Sequence, residues 1–199
     1  MAARSKPIRS FETIDAHWAQ EVRSFEAAVL RSFSFLENDY GFDRRVFERR
    51  EFEDGRDAHV VVPYCGAIVS VEVRFHLSES RVGAAIYELE NGRKPERVSF
   101  YGDVRNVRYG RAIDVDTFIS MSSRGTLPQR LPEASRRKPR IGTIRAAELR
   151  RTMLTTNMDG VVAELADRVK TWCTPILKGD TSMFATVQQL HRKIHWPER

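Results

Sequence analysis

Apolar residues recur near the start of the chain at Ile14, Trp18, Val22, Phe25, Val29, Phe33 and Leu36, in steps of three and four. That spacing lays one stripe of an α-helix against a core for roughly six turns. Ser10 or Thr13 can cap its first amides, and Asp15 suits the positive end of the helix dipole. Gly41, after Asp39-Tyr40, offers the left-handed conformation in which helices commonly end.

The period then drops to two. Asp54-Gly55 is a hairpin signal, and His59 to Tyr64 is a β-branched run interrupted at Pro63. Ala67, Val69, Val71, Val73, Phe75 and Leu77 alternate with Ser70, Glu72, Arg74 and His76. Such alternation predicts an antiparallel strand with one buried and one solvated face. Arg81 to Glu90 predicts a further strand ending at the Asn91-Gly92 turn, and Val98 to Tyr101 and Arg111 to Met121 are weaker strands. Helical spacing returns at Thr143, breaks at Asn157-Met158-Asp159-Gly160, and resumes through Val162, Leu165, Val169, Trp172 and Ile176 until Pro175 disturbs it. Asp180 or Thr181 can cap a last helix carrying Met183, Val187, Leu190 and Ile194. No internal repeat is evident.

A one-sided sheet must be covered, and the long first helix and the C-terminal helices are the available covers. The expected fold is therefore α+β: a two-layer sandwich of an antiparallel β-meander under those helices. The organisation reads as a basic arm over 1–10, helix plus sheet over 11–121, a basic Pro/Arg-rich loop over 122–142, and helices over 143–199 packed on the same domain. With 199 residues, 41% of them hydrophobic, the chain can bury a real core, and its two cysteines exclude a disulfide-built miniprotein.

Charge changes the picture more than composition does. The net charge is +6. Arg124, Arg130, Arg136, Arg137, Lys138, Arg140, Arg145, Arg150 and Arg151 face only Glu133 and Glu148, so this window alone holds +7 and everything else sums to −1. Concentrated positive charge attracts an acidic protein face or phosphate. Three prolines, Pro128, Pro132 and Pro139, interrupt the loop, and it contains no aromatic side chain on which bases could stack. Arginine outnumbers lysine, and because the excess runs along the whole chain a GC-rich genome explains it better than a partner does.

No apolar stretch reaches the ~20 residues of a spanning helix, and the N-terminus lacks the apolar region of a secretory signal. Cys65 and Cys173, far apart, read as reduced, buried thiols of a cytoplasmic protein.

Catalytic candidates are thin. Asp114-Val-Asp116 would put two carboxylates on one strand face, a pattern open to a divalent cation and hence to a metal-dependent hydrolase. Asp54 or Asp57 with Glu72-Val-Arg74 approaches a nuclease pattern, but arginine stands where a lysine should orient water. His191 and His195 share a helix face without the glutamate or third ligand of a zinc site. His17, His59 and His76 have no nucleophile at a telling distance in sequence. No phosphate loop, GxGxxG or GxSxG occurs. No cofactor and no metal is expected.

The most distinctive string is Phe33-Ser-Phe-Leu-Glu-Asn-Asp-Tyr-Gly-Phe42. It resembles a motif of small uncharacterised bacterial proteins: an aromatic, Leu-Glu, two residues, then Tyr-Gly-Phe, followed by a β-meander. Some of those proteins look like toxin-immunity partners or other accessory proteins. The resemblance spans about residues 11 to 90, and it implies a protein that works by binding another protein, with no catalytic residue carried over. The motif also has a structural reading in which Phe33, Leu36, Tyr40 and Phe42 pin the helix end to the sheet while Gly41 turns the chain.

The expectation is thus a non-catalytic cytoplasmic bacterial protein. It would bind a protein through Arg130, Arg136, Arg137, Lys138, Arg140 and Arg145. Nucleic-acid binding through the window 124–151 is the alternative reading, ahead of a metal-dependent hydrolase or nuclease.

Overall fold

A computed structural model describes residues 18–45, 48–50, 59–77, 79–95, 98–99, 110–122 and 143–185. The elements run α1 (Ala19–Ser32), α2 (Ser34–Tyr40), β1 (Asp43–Arg44), β2 (Glu48–Arg50), β3 (His59–Cys65), β4 (Val69–His76), β5 (Arg81–Glu88), β6 (Val98–Ser99), β7 (Gly110–Asp114), α3 (Val115–Ser122) and α4 (Thr143–Leu177). The architecture is α+β, with helices packed on one face of a largely antiparallel sheet.

The helical stripe read from the sequence is the one that is buried. Val22, Phe25, Val29, Phe33 and Leu36 are all essentially inaccessible. The helix does not run unbroken, however. It gives way at Phe33, whose amide bonds to the Val29 carbonyl and whose own carbonyl accepts from Leu36, and a second short helix starts at Ser34. Gly41 ends α2 in the left-handed region, φ 67°, and the Phe42 amide returns to the Leu36 carbonyl. The proposed N-terminal caps, Ser10 and Thr13, lie outside the described residues.

In the sheet, β3, β4 and β5 form the meander, and the pairing of β4 with β5 is unbroken from Val69↔Glu88 to His76↔Arg81. Strand β3 continues past Pro63 to Cys65, because the missing N–H faces away from β4, toward the junction between β1 and β2. There Arg45 donates to the Pro63 carbonyl, and β1 gives way to β2 with a one-residue slip of register against β3. The Asp54-Gly55 turn lies outside the described residues, whereas Asn91 (φ 53°) and Gly92 (φ 72°) form the expected tight turn, closed by the Glu90↔Arg93 bridge.

Beyond β5 the meander stops. Strand β7 inserts next to β5, and β6 pairs with β7 in parallel on its far side. The strand expected over Arg111 to Met121 ends at Asp114, because that carboxylate caps a helix. Its Oδ1 accepts from the Thr117 amide and hydroxyl, each at 2.9 Å, and α3 begins.

Helix α1 lies over β3 and β4, α4 over β5, and the two helices touch along their length. They run parallel. Glu21 and Arg31 of α1 meet Arg151 and Asp159, and Asp39 and Tyr40 of α2 meet Lys170 and Thr174, in rising order along both α1–α2 and α4. The break expected at 157–160 is a kink instead. Asn157 leaves helical geometry (φ −137°, ψ 31°), yet Leu154, Met158 and Val162 stay buried in the same core and hold both halves to it. A Cβ on Gly160 would stand 2.4 Å from Asn157 Oδ1, so the exposed Asn157 side chain would have to turn aside to admit one. Pro175 falls in the last turn, and the helix closes when the amides of Gly179 and Asp180 return to the carbonyls of Ile176 and Pro175. Asp180 then accepts from the Ser182 amide, as expected of a cap.

The larger correction concerns the second face of the sheet. It was expected to be wet. Ser70 is 3% exposed and Glu72 2%, and Val61, Ala85, Tyr87 and Ala112 are buried beside them. Ala85, Tyr87, Ala112 and Val98 make a small apolar cluster separate from the helix-side core.

Candidate functional site

The basic segment carries most of the expected contact residues. Arg130, Arg136, Arg137, Lys138 and Arg140 lie outside the described residues, as do His17, Asp54, Asp57, His191 and His195. Arg145 falls on α4 where only the backbone is described. Arg151, the last cation of the window, is engaged by the fold. Its Nε and Nη2 each lie 2.7 Å from Oε1 of the buried Glu21, and its guanidinium stacks 4.5 Å from the Trp18 ring centre.

The aromatic motif serves the core. Phe33 stacks on Tyr64 with centroids 6.4 Å apart and on Phe35 at 5.8 Å. Phe42 is 5% exposed and packs against Gly66, where a Cβ would come within 3.0 Å of its ring. Tyr40 reaches the Thr174 hydroxyl at 3.1 Å. Burial pushes the Tyr64 phenol up to about 12, with the Glu37 charge acting in the same direction and Arg44 opposing it.

Asp114 and Asp116 do not share a strand face. Asp114 caps α3, and Asp116 in its first turn pairs with Arg168 of α4 at 2.8 Å. Burial raises the Asp116 carboxyl above its ordinary value, while Arg168 pulls it back and Asp114 pushes it up. No group of three His, Cys, Asp or Glu suited to a metal ion occurs among the described residues.

The second sheet face gathers more chemistry than any other described region. The β4 alternation puts Glu72 and Arg74 on it, and the Asn91-Gly92 turn brings Lys94 back over the sheet. Glu72 Oε2 accepts from Arg74 Nη2 at 2.7 Å and Nε at 3.2 Å, and Oε1 accepts from Lys94 Nζ at 2.6 Å. Lys94 Nζ stands 3.9 Å, and the Arg74 guanidinium 5.4 Å, from the Tyr87 ring centre. His59 and His76, register partners at the end of the same face, stack with centroids 5.4 Å apart. Burying a carboxylate is tolerable only with such pairing, since an isolated charge would face a desolvation penalty of several kcal/mol. Sequence reading found Glu72, Arg74, His59 and His76 but not Lys94 or Tyr87. Their only signal was the tight turn that folds residue 94 back toward β5.

The two thiols differ. Cys65 is half-buried at a strand end, while Cys173 is inaccessible and its thiol is pushed by burial from an ordinary 9.0 to about 12, against a smaller opposing effect of Arg168. An acid held in its neutral form by the fold makes stability fall as pH climbs through the window from 9 to 12. At pH ~9, alkylation with iodoacetamide is expected to label Cys65 and leave Cys173 unmodified in the folded chain. Peptide mass spectrometry reads the result, and equal labelling of both would contradict the burial of Cys173.

No described helix is long and apolar enough to cross a membrane. Comparison of the chain with protein-family models, with curated proteins and with solved structures finds no match.

Proposed function

We propose that this is a cytoplasmic, non-catalytic binding protein that engages an acidic face of another protein through the positive segment around Arg136, Arg137, Lys138 and Arg140. One observation carries the reading. Many cations of the described fold pair with its own carboxylates, while the chain's net positive charge sits in the window 124–151, of which only Arg151 is seen paired. Arg31 pairs with Asp159, Lys170 with Asp39, Arg111 with Glu88, Arg168 with Asp116 and Arg151 with Glu21. Charge neutralised at home is not available to a partner, and charge in surplus is. The similarity of the Phe33–Phe42 string to accessory and immunity-like proteins supports the same reading.

Co-purification from the native host at low salt tests it. A stoichiometric protein partner is expected, and it should be lost when Arg136, Arg137, Lys138 and Arg140 are all changed to Glu. Monomer alone, or nucleic acid retained with a steep salt dependence, would overturn the proposal.

A further inference from the structure

We propose that Cys65 is a peroxide-oxidisable thiol that stops at the sulfenic acid, because the Ser70 hydroxyl holds the added oxygen. This site is independent of the basic segment and of the function proposed for it.

Ser70 is an orphaned donor. It is 3% exposed, and its hydroxyl has no hydrogen-bond partner among the described residues. A buried hydroxyl left unpaired is destabilising, and native proteins retain few of them, redox and catalytic positions among them. Register narrows what could complete it. Ser70 lies between Tyr87 of β5, which is buried, and Cys65 of β3, which is half-buried. Of these two neighbours only Cys65 is open to a small solute. Cross-strand partners share a face and keep their Cβ atoms about 4.5–5.5 Å apart. The thiol itself does not engage the hydroxyl. One oxygen added to the sulfur narrows that gap and supplies the acceptor that Ser70 lacks. On the other flank of Cys65, Asp43 of β1 brings an exposed carboxylate, whose oxygens accept as the sulfenyl oxygen does. The donor is therefore Ser70.

The step balances with hydrogen peroxide as the oxidant. The Cys65 thiolate attacks one peroxide oxygen, an S–O bond forms and the O–O bond breaks. Sulfur loses two electrons, and the departing hydroxide takes the proton that the thiol gave up and leaves as water. Sulfenic acids ordinarily condense with a second thiol. This chain has two cysteines, and Cys173 is inaccessible in the helix-side core, across the sheet from Cys65. No resolving thiol can reach the oxidised sulfur from within the fold.

Treatment of the full chain with a small excess of hydrogen peroxide, removal of the peroxide with catalase, and dimedone trapping after increasing delays tests the site. Peptide mass spectrometry is expected to find dimedone on Cys65 and none on Cys173. Ser70→Ala should shorten the life of the trappable species about tenfold or more, the worth of one hydrogen bond, and Ser70→Thr should restore it. The rate at which iodoacetamide alkylates the reduced Cys65 should be the same in all three, which separates the hydroxyl's role from a change in exposure. Circular dichroism establishes folding, and Ser70→Val, which matches threonine in shape, replaces Ser70→Ala if the latter does not fold. No dimedone adduct at Cys65, direct passage to the sulfinic acid, an equal lifetime without the hydroxyl, or alkylation rates that change in step with lifetime would each overturn the proposal.

Discussion

Replacing Glu72 with alanine is expected to destabilise the protein by about 3–5 kcal/mol, because it leaves two cations on a buried face without the carboxylate they share. Native domains hold only about 5–15 kcal/mol in total, so the denaturation midpoint should fall far. The size follows from the surroundings. Glu72 is 2% exposed, and Arg74 and Lys94 both reach it within 2.7 Å. Neither cation can simply turn to bulk water without leaving the Tyr87 ring that each overlies. Glu72→Gln should cost less, since it keeps the shape and one acceptor oxygen. Glu164→Ala, on the exposed side of α4, serves as the comparison and should change stability by no more than about 0.5 kcal/mol. Urea denaturation of the three variants reads the difference. Equal effects of Glu72→Ala and Glu164→Ala would mean that the second face is solvated after all.

Phe33→Ala is the other large effect, again about 3–5 kcal/mol. Phe33 stands where α1 turns into α2, is inaccessible to solvent, and stacks between Phe35 and Tyr64. Its ring ties the helical layer to β3, and truncation leaves a cavity that the paired strands below cannot close. Phe33→Leu, which keeps most of the volume, should cost less than about 1.5 kcal/mol. The ratio matters more than either value. If Leu is as damaging as Ala, the residue serves something other than packing, and the Phe33–Phe42 string would be a contact surface and not a joint of the fold.

Much of the helix-side core was legible because a single periodic signal dictated it. Val22, Phe25, Val29, Phe33 and Leu36 could share a face only on a helix. Val69, Val71, Val73 and Phe75 could do so only on a strand, and both sets are buried. The second face was illegible for a physical reason. Alternation states which residues share a face, not what lies over it, so Ser70, Glu72, Arg74 and His76 read alike whether wet or buried as a charge cluster. The insertion of β7 between β5 and β6 is a non-local event with no local signature. The start of α3 did have one, since Asp114 followed three residues later by Thr117 is a capping pattern, but the apolar residues of 111–121 masked it. At 157–160 the Asn and Gly signals were real, and the continuing apolar stripe overrode them, turning a break into a kink.

Zero-length carbodiimide cross-linking of the chain to its co-purified protein partner reads the contact itself. The reagent joins lysine amines to carboxylates, and Lys138 is the only lysine in the positive window. Lys94 and Lys170 are already held by Glu72 and Asp39. Cross-links from Lys138 to partner acids are the expected result. Cross-links confined to Lys94, Lys170 or Lys178, with none at Lys138, would show that the partner docks on the folded body and that the surplus charge is not what binds it.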